Sequence, residues 1–239
     1  MHPCEPRKRF LQGKMYKDKF QNGFFSVLSS LDNSPLESWT YYVRQGHIKR
    51  ITDSDLQSQV LELRVEEDTF IASPGLRHKD TFIASPGGHR HKSLAITLPY
   101  LVILLKNLKK YFTFQVDVLD DAGATRKLRA SNFRSTVEVT PDLCHMPLRL
   151  ELGWNQVTLN LDDLMKRAYG SSYVETTRLQ INANCRLRRV YFMDRLYRDE
   201  DVPADLRLCP ISDKDRASRC ESLVTRAEPK DVEELPLSE

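Results

Sequence analysis

The sequence predicts an all-β protein, an antiparallel β-sandwich with one short helix. Three observations carry that expectation. The dominant hydrophobic period is two rather than 3.6, alternating runs recur at short intervals with turn residues between them, and only one segment has the charge and capping pattern of a helix.

Residues 1–19 hold six basic and two acidic residues with little apolar pattern, and are expected to be a basic, mostly disordered extension ahead of a domain at 20–210. Leu61, Leu63 and Val65 alternate as a strand. Asp68-Thr69-Phe70-Ile71-Ala72-Ser73-Pro74-Gly75 then recurs as Asp80-Thr81-Phe82-Ile83-Ala84-Ser85-Pro86-Gly87. Two copies are too few for a solenoid, which needs about three, so the repeat is expected to lengthen a loop over 68–92, with one copy pairing in the sheet and the other outside it.

Leu94, Ile96 and Leu98 form the next alternating run. Phe112, Phe114, Val116 and Val118 share one face while Thr113, Gln115 and Asp117 share the other, the signature of a half-buried antiparallel strand. Asp120-Asp121-Ala122-Gly123 turns the chain, and Arg126–Ala130 returns as its partner. Val137 and Val139 alternate until Pro141. Gly153-Trp154-Asn155 opens a strand with Val157, Leu159 and Leu161 inward, where Trp154 is expected to anchor the core. Asp162–Gly170 reads as the helix, with acids first, bases last and Gly170 as the stop. Thr177, Leu179, Ile181 and Ala183 form another strand. In Cys185–Phe192 strict alternation would put Arg186, Arg188, Val190 and Phe192 on one side, so a β-bulge is expected near Arg188-Arg189. Residues 211–239, with five basic and eight acidic residues and no aromatic, are expected to be a disordered acidic tail.

Composition narrows the function classes. The longest apolar run, Leu98–Leu105, is far short of the roughly 20 residues that span a bilayer, and no apolar segment comes after the N-terminus, so neither membrane insertion nor secretion is expected. Five cysteines, none in a Cys-x-x-Cys pair, read as small buried hydrophobes. A net charge of +3, spread over a nearly neutral body between oppositely charged ends, argues against a nucleic-acid binder. There is no phosphate loop, nucleophile elbow or zinc motif, so no catalytic residue, cofactor or metal is expected. His89 and His91 lie in a loop-like stretch, and Cys144 and His145 should point to opposite faces of a strand.

Basic clusters are the remaining signal. Lys49 and Arg50, Lys109 and Lys110, Lys127 and Arg129, and Arg186, Arg188 and Arg189 are the candidate partner-binding residues, weighed against an ordinary solvated face. A glycan-binding sandwich is the alternative function, and it would display exposed aromatic side chains where the structural role predicts a buried Trp154 and exposed Lys and Arg.

Several stretches together resemble one known family. Phe20–Phe24, Gly46–Asp53, Lys106–Phe114, Gly153–Gln156, Arg167–Gly170 and Ala183–Phe192 are similar to the cilia- and flagella-associated protein 20 family, also called the basal body up-regulated family. The resemblance runs from about Phe20 to Leu208. It implies a jelly-roll sandwich similar to carbohydrate-binding modules, acting without catalysis as a structural component of motile cilia. It also implies a place at the inner junction of the axonemal doublet, where the B-tubule closes on the A-tubule, with tubulin and parkin co-regulated protein as partners. Basal bodies, centrioles and, in some cells, the nucleus are further implied locations. The N-terminal extension, the duplicated loop and the acidic tail depart from the family pattern and mark a divergent paralogue or an altered transcript.

Overall fold

A computed structural model describes residues 13–43, 46–65, 81–86, 91–208 and 224–226 of the 239-residue chain. Its strands in chain order begin with β1 (Gly13–Lys14), β2 (Phe24–Ser29), β3 (Thr40–Tyr42), β4 (Gly46–Asp53), β5 (Ser58–Val65), β6 (Phe82–Ser85), β7 (His91–Ser93) and β8 (Tyr100–Asn107). They continue with β9 (Thr113–Asp120), β10 (Thr125–Ser131), β11 (Glu138–Val139), β12 (Leu143–Pro147), β13 (Gly153–Asn160), β14 (Tyr173–Asn182), β15 (Cys185–Met193) and β16 (Val224–Arg226). Helix α1 (Leu161–Tyr169) joins β13 to β14.

Most strands form two sheets. The first has the order β16-β13-β8-β15-β5-β4, with β2 also paired to β15, and the second has the order β11-β12-β10-β9-β14-β6-β3. One apolar cluster joins them: Ile103, Leu105, Leu187 and Phe192 from the first sheet pack with Phe114, Val116, Leu179 and Ile181 from the second. Burial of such side chains contributes about 1.5–3 kcal/mol each, which makes this layer the main source of stability.

Period-two alternation translates directly where both neighbours are strands. In β9, Phe114, Val116 and Val118 are buried while Thr113, Gln115 and Asp117 are only partly covered. The turn after it is closed by Gly123, at φ +77°, and by the Asp120 carboxylate, which accepts from the Ala124 N–H at 2.6 Å. Helix α1 has the expected stop, since Gly170 adopts φ +67° and its N–H donates to the Lys166 carbonyl. At its other end, the Asn160 side chain accepts from the Asp163 N–H. Gly46 is demanded by packing: at φ +142°, a Cβ there would lie 1.9 Å from the Arg64 carbonyl oxygen.

Three segments differ from expectation. Leu94, Ile96 and Leu98 are buried, yet form only an isolated bridge from Ile96 to Thr176, because Ala95 turns to φ +55° and Pro99 has no N–H to pair. Val137 and Val139 are exposed, since β11 is a two-residue edge strand. Residues 13–19 belong to the body: β1 pairs with β7, the Met15 N–H donates to the Ser93 carbonyl, and Lys14 pairs with Glu175 at 2.6 Å.

The second repeat copy supplies β6, between β14 and β3, while the first copy lies outside the described residues. Within the segment expected to be a disordered tail, Val224–Arg226 pair in parallel with β13; the remainder of 211–239 lies outside the described residues. Cys144 and Cys185 are buried free thiols, and burial pushes the pKa of each up. Cys144 joins the core and His145 faces the other side of β12. No described helix is long and apolar enough to cross a membrane.

Candidate interaction surface

The outward faces of the two sheets are built differently. On the first, cross-strand register aligns Trp154, Lys106, Arg186, Glu62 and Lys49 in one row over β13, β8, β15, β5 and β4. Asp53, at the end of β4, reaches into that row with a side chain wholly removed from solvent. Its carboxylate accepts from Lys106 Nζ at 2.9 Å, Arg186 Nη1 at 2.7 Å, Trp154 Nε1 at 3.0 Å and the Asp55 N–H at 3.0 Å.

Burial by itself would raise the Asp53 pKa. The four donors outweigh burial and hold the carboxyl well below the usual range. The same competition lowers Glu62, which accepts from Arg186 Nε at 2.7 Å and faces His47 Nε2 at 3.0 Å. Lys106 and Arg186 are opposed by burial too, but their carboxylate partners keep both firmly protonated.

Beyond this ionic row the first sheet is sealed. Val202, Leu206 and Leu208, from the segment after β15, pack on Val60, Val102, Leu104, Tyr191 and Met193 as a second apolar cluster. Trp154 belongs to it and is 3% exposed, as expected of an anchor. Asp205 pairs with Arg189 at 3.4 Å and fastens the covering segment.

The bulge expected in β15 is present, as a register shift between Leu187 and Arg189 against β8. Arg186 and Arg189 thus share the outward face, while Leu187 and Val190 enter the core. The bulge does not present a free cationic patch. Arg186 is held by Asp53 and Glu62, Arg189 is 9% exposed, and Arg188 donates to the Gln59 carbonyl at 3.0 Å. Arg50 is likewise engaged, donating to the Ser30 carbonyl at 2.9 Å.

The outward face of the second sheet carries no such cover of packed apolar residues among those described. Glu138, His145, Arg129, Gln115, Gln180, Ala84 and Thr40 form one continuous row across all seven strands. At about 4.8 Å per strand this row is about 29 Å long. Arg129 donates to Gln115 Oε1 at 2.7 Å, Gln115 to Asp117 Oδ1 at 2.7 Å, and Gln180 to Asn182 Oδ1 at 3.2 Å. In the next row Asp117 lies between exposed Lys127 and exposed Arg178. The outward positions of β10, β9 and β14 carry Lys127, Arg129 and Arg178 around the half-buried carboxylate of Asp117, while the second outward carboxylate, Glu175, is buried and paired with Lys14. Tyr42 stacks on Phe82 at 6.0 Å near one edge, and Phe133 meets Tyr111 edge-on at 5.4 Å near the other end.

The candidate cations are thus dispersed. Lys127 and Arg129 lie on the open face, Lys49 is exposed at the edge strand β4, and Lys109 and Lys110 come after β8 in the loop leading to β9. Arg178 was missed, although its alternation with Leu179 and Gln180 placed it outward; the acids Asp53 and Glu62 carried no sequence signal, because Arg186, which bonds both, and Trp154, which bonds Asp53, lie more than a hundred residues away.

Fold and surface together define a β-sandwich whose first sheet is covered on its outer side by packed apolar residues and whose second sheet carries a mostly polar outer row. The chain belongs to the CFA20 domain family, whose model matches residues 15–210. It is 50% identical over 196 residues to cilia- and flagella-associated protein 20 of Chlamydomonas reinhardtii, covering 81% of this chain and 96% of that protein. The same-named proteins of Paramecium tetraurelia and Caenorhabditis elegans are 50% and 46% identical over 196 residues, covering 96% and 90% of their lengths. Among solved structures, an exo-beta-agarase is similar over 74% of this chain and 25% of its own, with a TM-score of 0.40 and 9% identity. The family membership supports a cilium-related role.

Proposed function

We propose that this protein is a non-enzymatic structural component of the ciliary axoneme, binding the doublet microtubule at the inner junction through the open face of its second sheet. The observation that carries this is family membership over 15–210 in a chain whose second sheet turns exposed Lys127 and Arg178 and half-buried Arg129 outward around the carboxylate of Asp117. Tubulin surfaces are acidic, so such a face would steer and register the contact. Each exposed ion pair contributes only about 0–1 kcal/mol, and repetition along a lattice would supply the avidity that single contacts lack. Parkin co-regulated protein is the expected neighbour at the junction.

Co-sedimentation with axonemal doublets tests the proposal. Lys127→Glu with Arg178→Glu should weaken association and flatten its salt dependence at unchanged melting temperature, because exposed substitutions change stability by about 0.5 kcal/mol or less. Wild-type co-sedimentation and salt dependence would exclude this face. Tagged full-length protein absent from the axonemes of ciliated cells would overturn the assignment itself.

The exposed Tyr42 and Tyr111 favour one other reading, a glycan-binding face. Binding of soluble polysaccharides that is lost on Tyr42→Ala would support it.

A further inference from the structure

The C-terminal residues contain a charge complement to the open face. The CFA20 match ends at residue 210, so residues 211–239 lie beyond the family model. Within them, residues 211–226 balance their charges closely, whereas 227–239 carry Glu228, Asp231, Glu233, Glu234 and Glu239 against Lys230 alone. The negative charge is concentrated in those final thirteen residues.

Their point of departure is defined. Val224–Arg226 pair with Gln156–Thr158 along the outer edge of β13. That edge of the first sheet lies beside the β12 edge of the second, because the short link 148–152 joins the two strands and is tied to both sheets. The Leu148 N–H donates to the Ser131 carbonyl of β10, and Asn107 of β8 donates to the Glu151 carbonyl at 3.1 Å. From Arg226 an extended chain advances about 3.3 Å per residue, so the five acids fall about 7–43 Å along it. Packed sheets are about 10 Å apart and neighbouring strands about 4.8 Å, which brings Lys127, Arg129 and Arg178 within that reach.

We propose that residues 227–239 dock on the outward face of the second sheet, pairing with Lys127, Arg129 and Arg178, and thereby compete with an acidic partner for that face. The competition rests on the proposed partner contact, whereas the docking does not. Individual exposed ion pairs are weak, but tethering gives the segment an effective concentration in the millimolar range, enough to occupy a face that a free acidic peptide would bind poorly. The device makes partner binding sensitive to any change in tail charge.

The test uses the full chain and a full-length variant with Glu228, Glu233, Glu234 and Glu239 changed to Gln and Asp231 to Asn. In about 0.05 M salt, the backbone amide NMR signals of Gln115, Lys127, Arg129, Arg178 and Gln180 should differ between the two proteins. The difference should vanish near 0.5 M salt, where charge interactions are screened within about 4 Å. A fluorescent ten-residue polyglutamate peptide should bind the neutralised variant on the order of tenfold more tightly than the wild type, and Lys127→Glu with Arg178→Glu should abolish both effects. Identical spectra, differences confined to β13, or equal peptide affinity would overturn the proposal. Spectral differences without doublet binding by any variant would leave the docking standing and remove the junction assignment, and doublet binding without spectral differences would do the reverse.

Discussion

Replacing Asp53 by Asn isolates the ionic row of the first sheet. The side chain keeps its shape but loses its charge, and its new amide N–H groups face the Lys106 and Arg186 donors now bonded to the carboxylate. Breaking a buried ion pair from one side costs about 3–5 kcal/mol, because the partner is left buried and uncompensated. Here both cations keep a second acid, Asp55 at 2.8 Å for Lys106 and Glu62 at 2.7 Å for Arg186. The low end of that range therefore applies, about 3 kcal/mol, equivalent to roughly 6–12 °C in melting temperature for a domain of this size.

The pH dependence gives a second handle. The folded-state pKa of Asp53 is depressed below its unfolded value of about 3.9, so its stabilisation is complete above that value and is lost as the pH falls through the folded-state pKa. The stability gap between wild type and Asp53→Asn should thus be full at pH 7 and narrow progressively below about pH 4. Glu62 and Asp120, lowered in the same direction, leave the variant some acid sensitivity of its own. Urea unfolding followed by circular dichroism at pH 7, 4 and 2.5 measures the gap. A variant within about 0.5 kcal/mol of wild type at pH 7, or a gap that does not shrink in acid, would refute the reasoning.

Trp154→Ala should cost about 3–5 kcal/mol through loss of buried ring volume, whereas Trp154→Phe, which loses the Nε1–H bond to Asp53 but retains an aromatic ring, should cost about 1.5–3 kcal/mol; thermal melts of the two variants separate the contributions. Deleting Asp68–Lys79 should leave the melting temperature nearly unchanged, since β6 comes from the second repeat copy and halving a loop changes closure entropy by only about 0.6 kcal/mol. Loss of the cooperative transition would show that the first copy is integral to the sheets.

Local pattern accounts for much of what was legible. Phe112–Val118, the turn at Asp120–Gly123, the helix ending at Gly170 and the bulge in β15 could be read from residues adjacent in sequence, because alternation, turn chemistry and capping act over two to four positions. Conversely, the alternation of Val137 and Val139 misled, since period two states which residues share a side and not whether anything packs on that side.

The tertiary structure decided the fate of the basic residues. Arg186 and Lys127 look alike in sequence, each a cation in an alternating run. Strand order then places Arg186 between Glu62 of β5 and Lys106 of β8, under reach of Asp53, and leaves Lys127 beside Asp117 and exposed on the open sheet. Sequence by itself determined a sandwich and which side chains alternate. Only the pairing of distant strands determined which charges neutralise one another and which remain outward, because a charge's partner is set by about 4.8 Å of strand spacing and by register rather than by its neighbours in the chain.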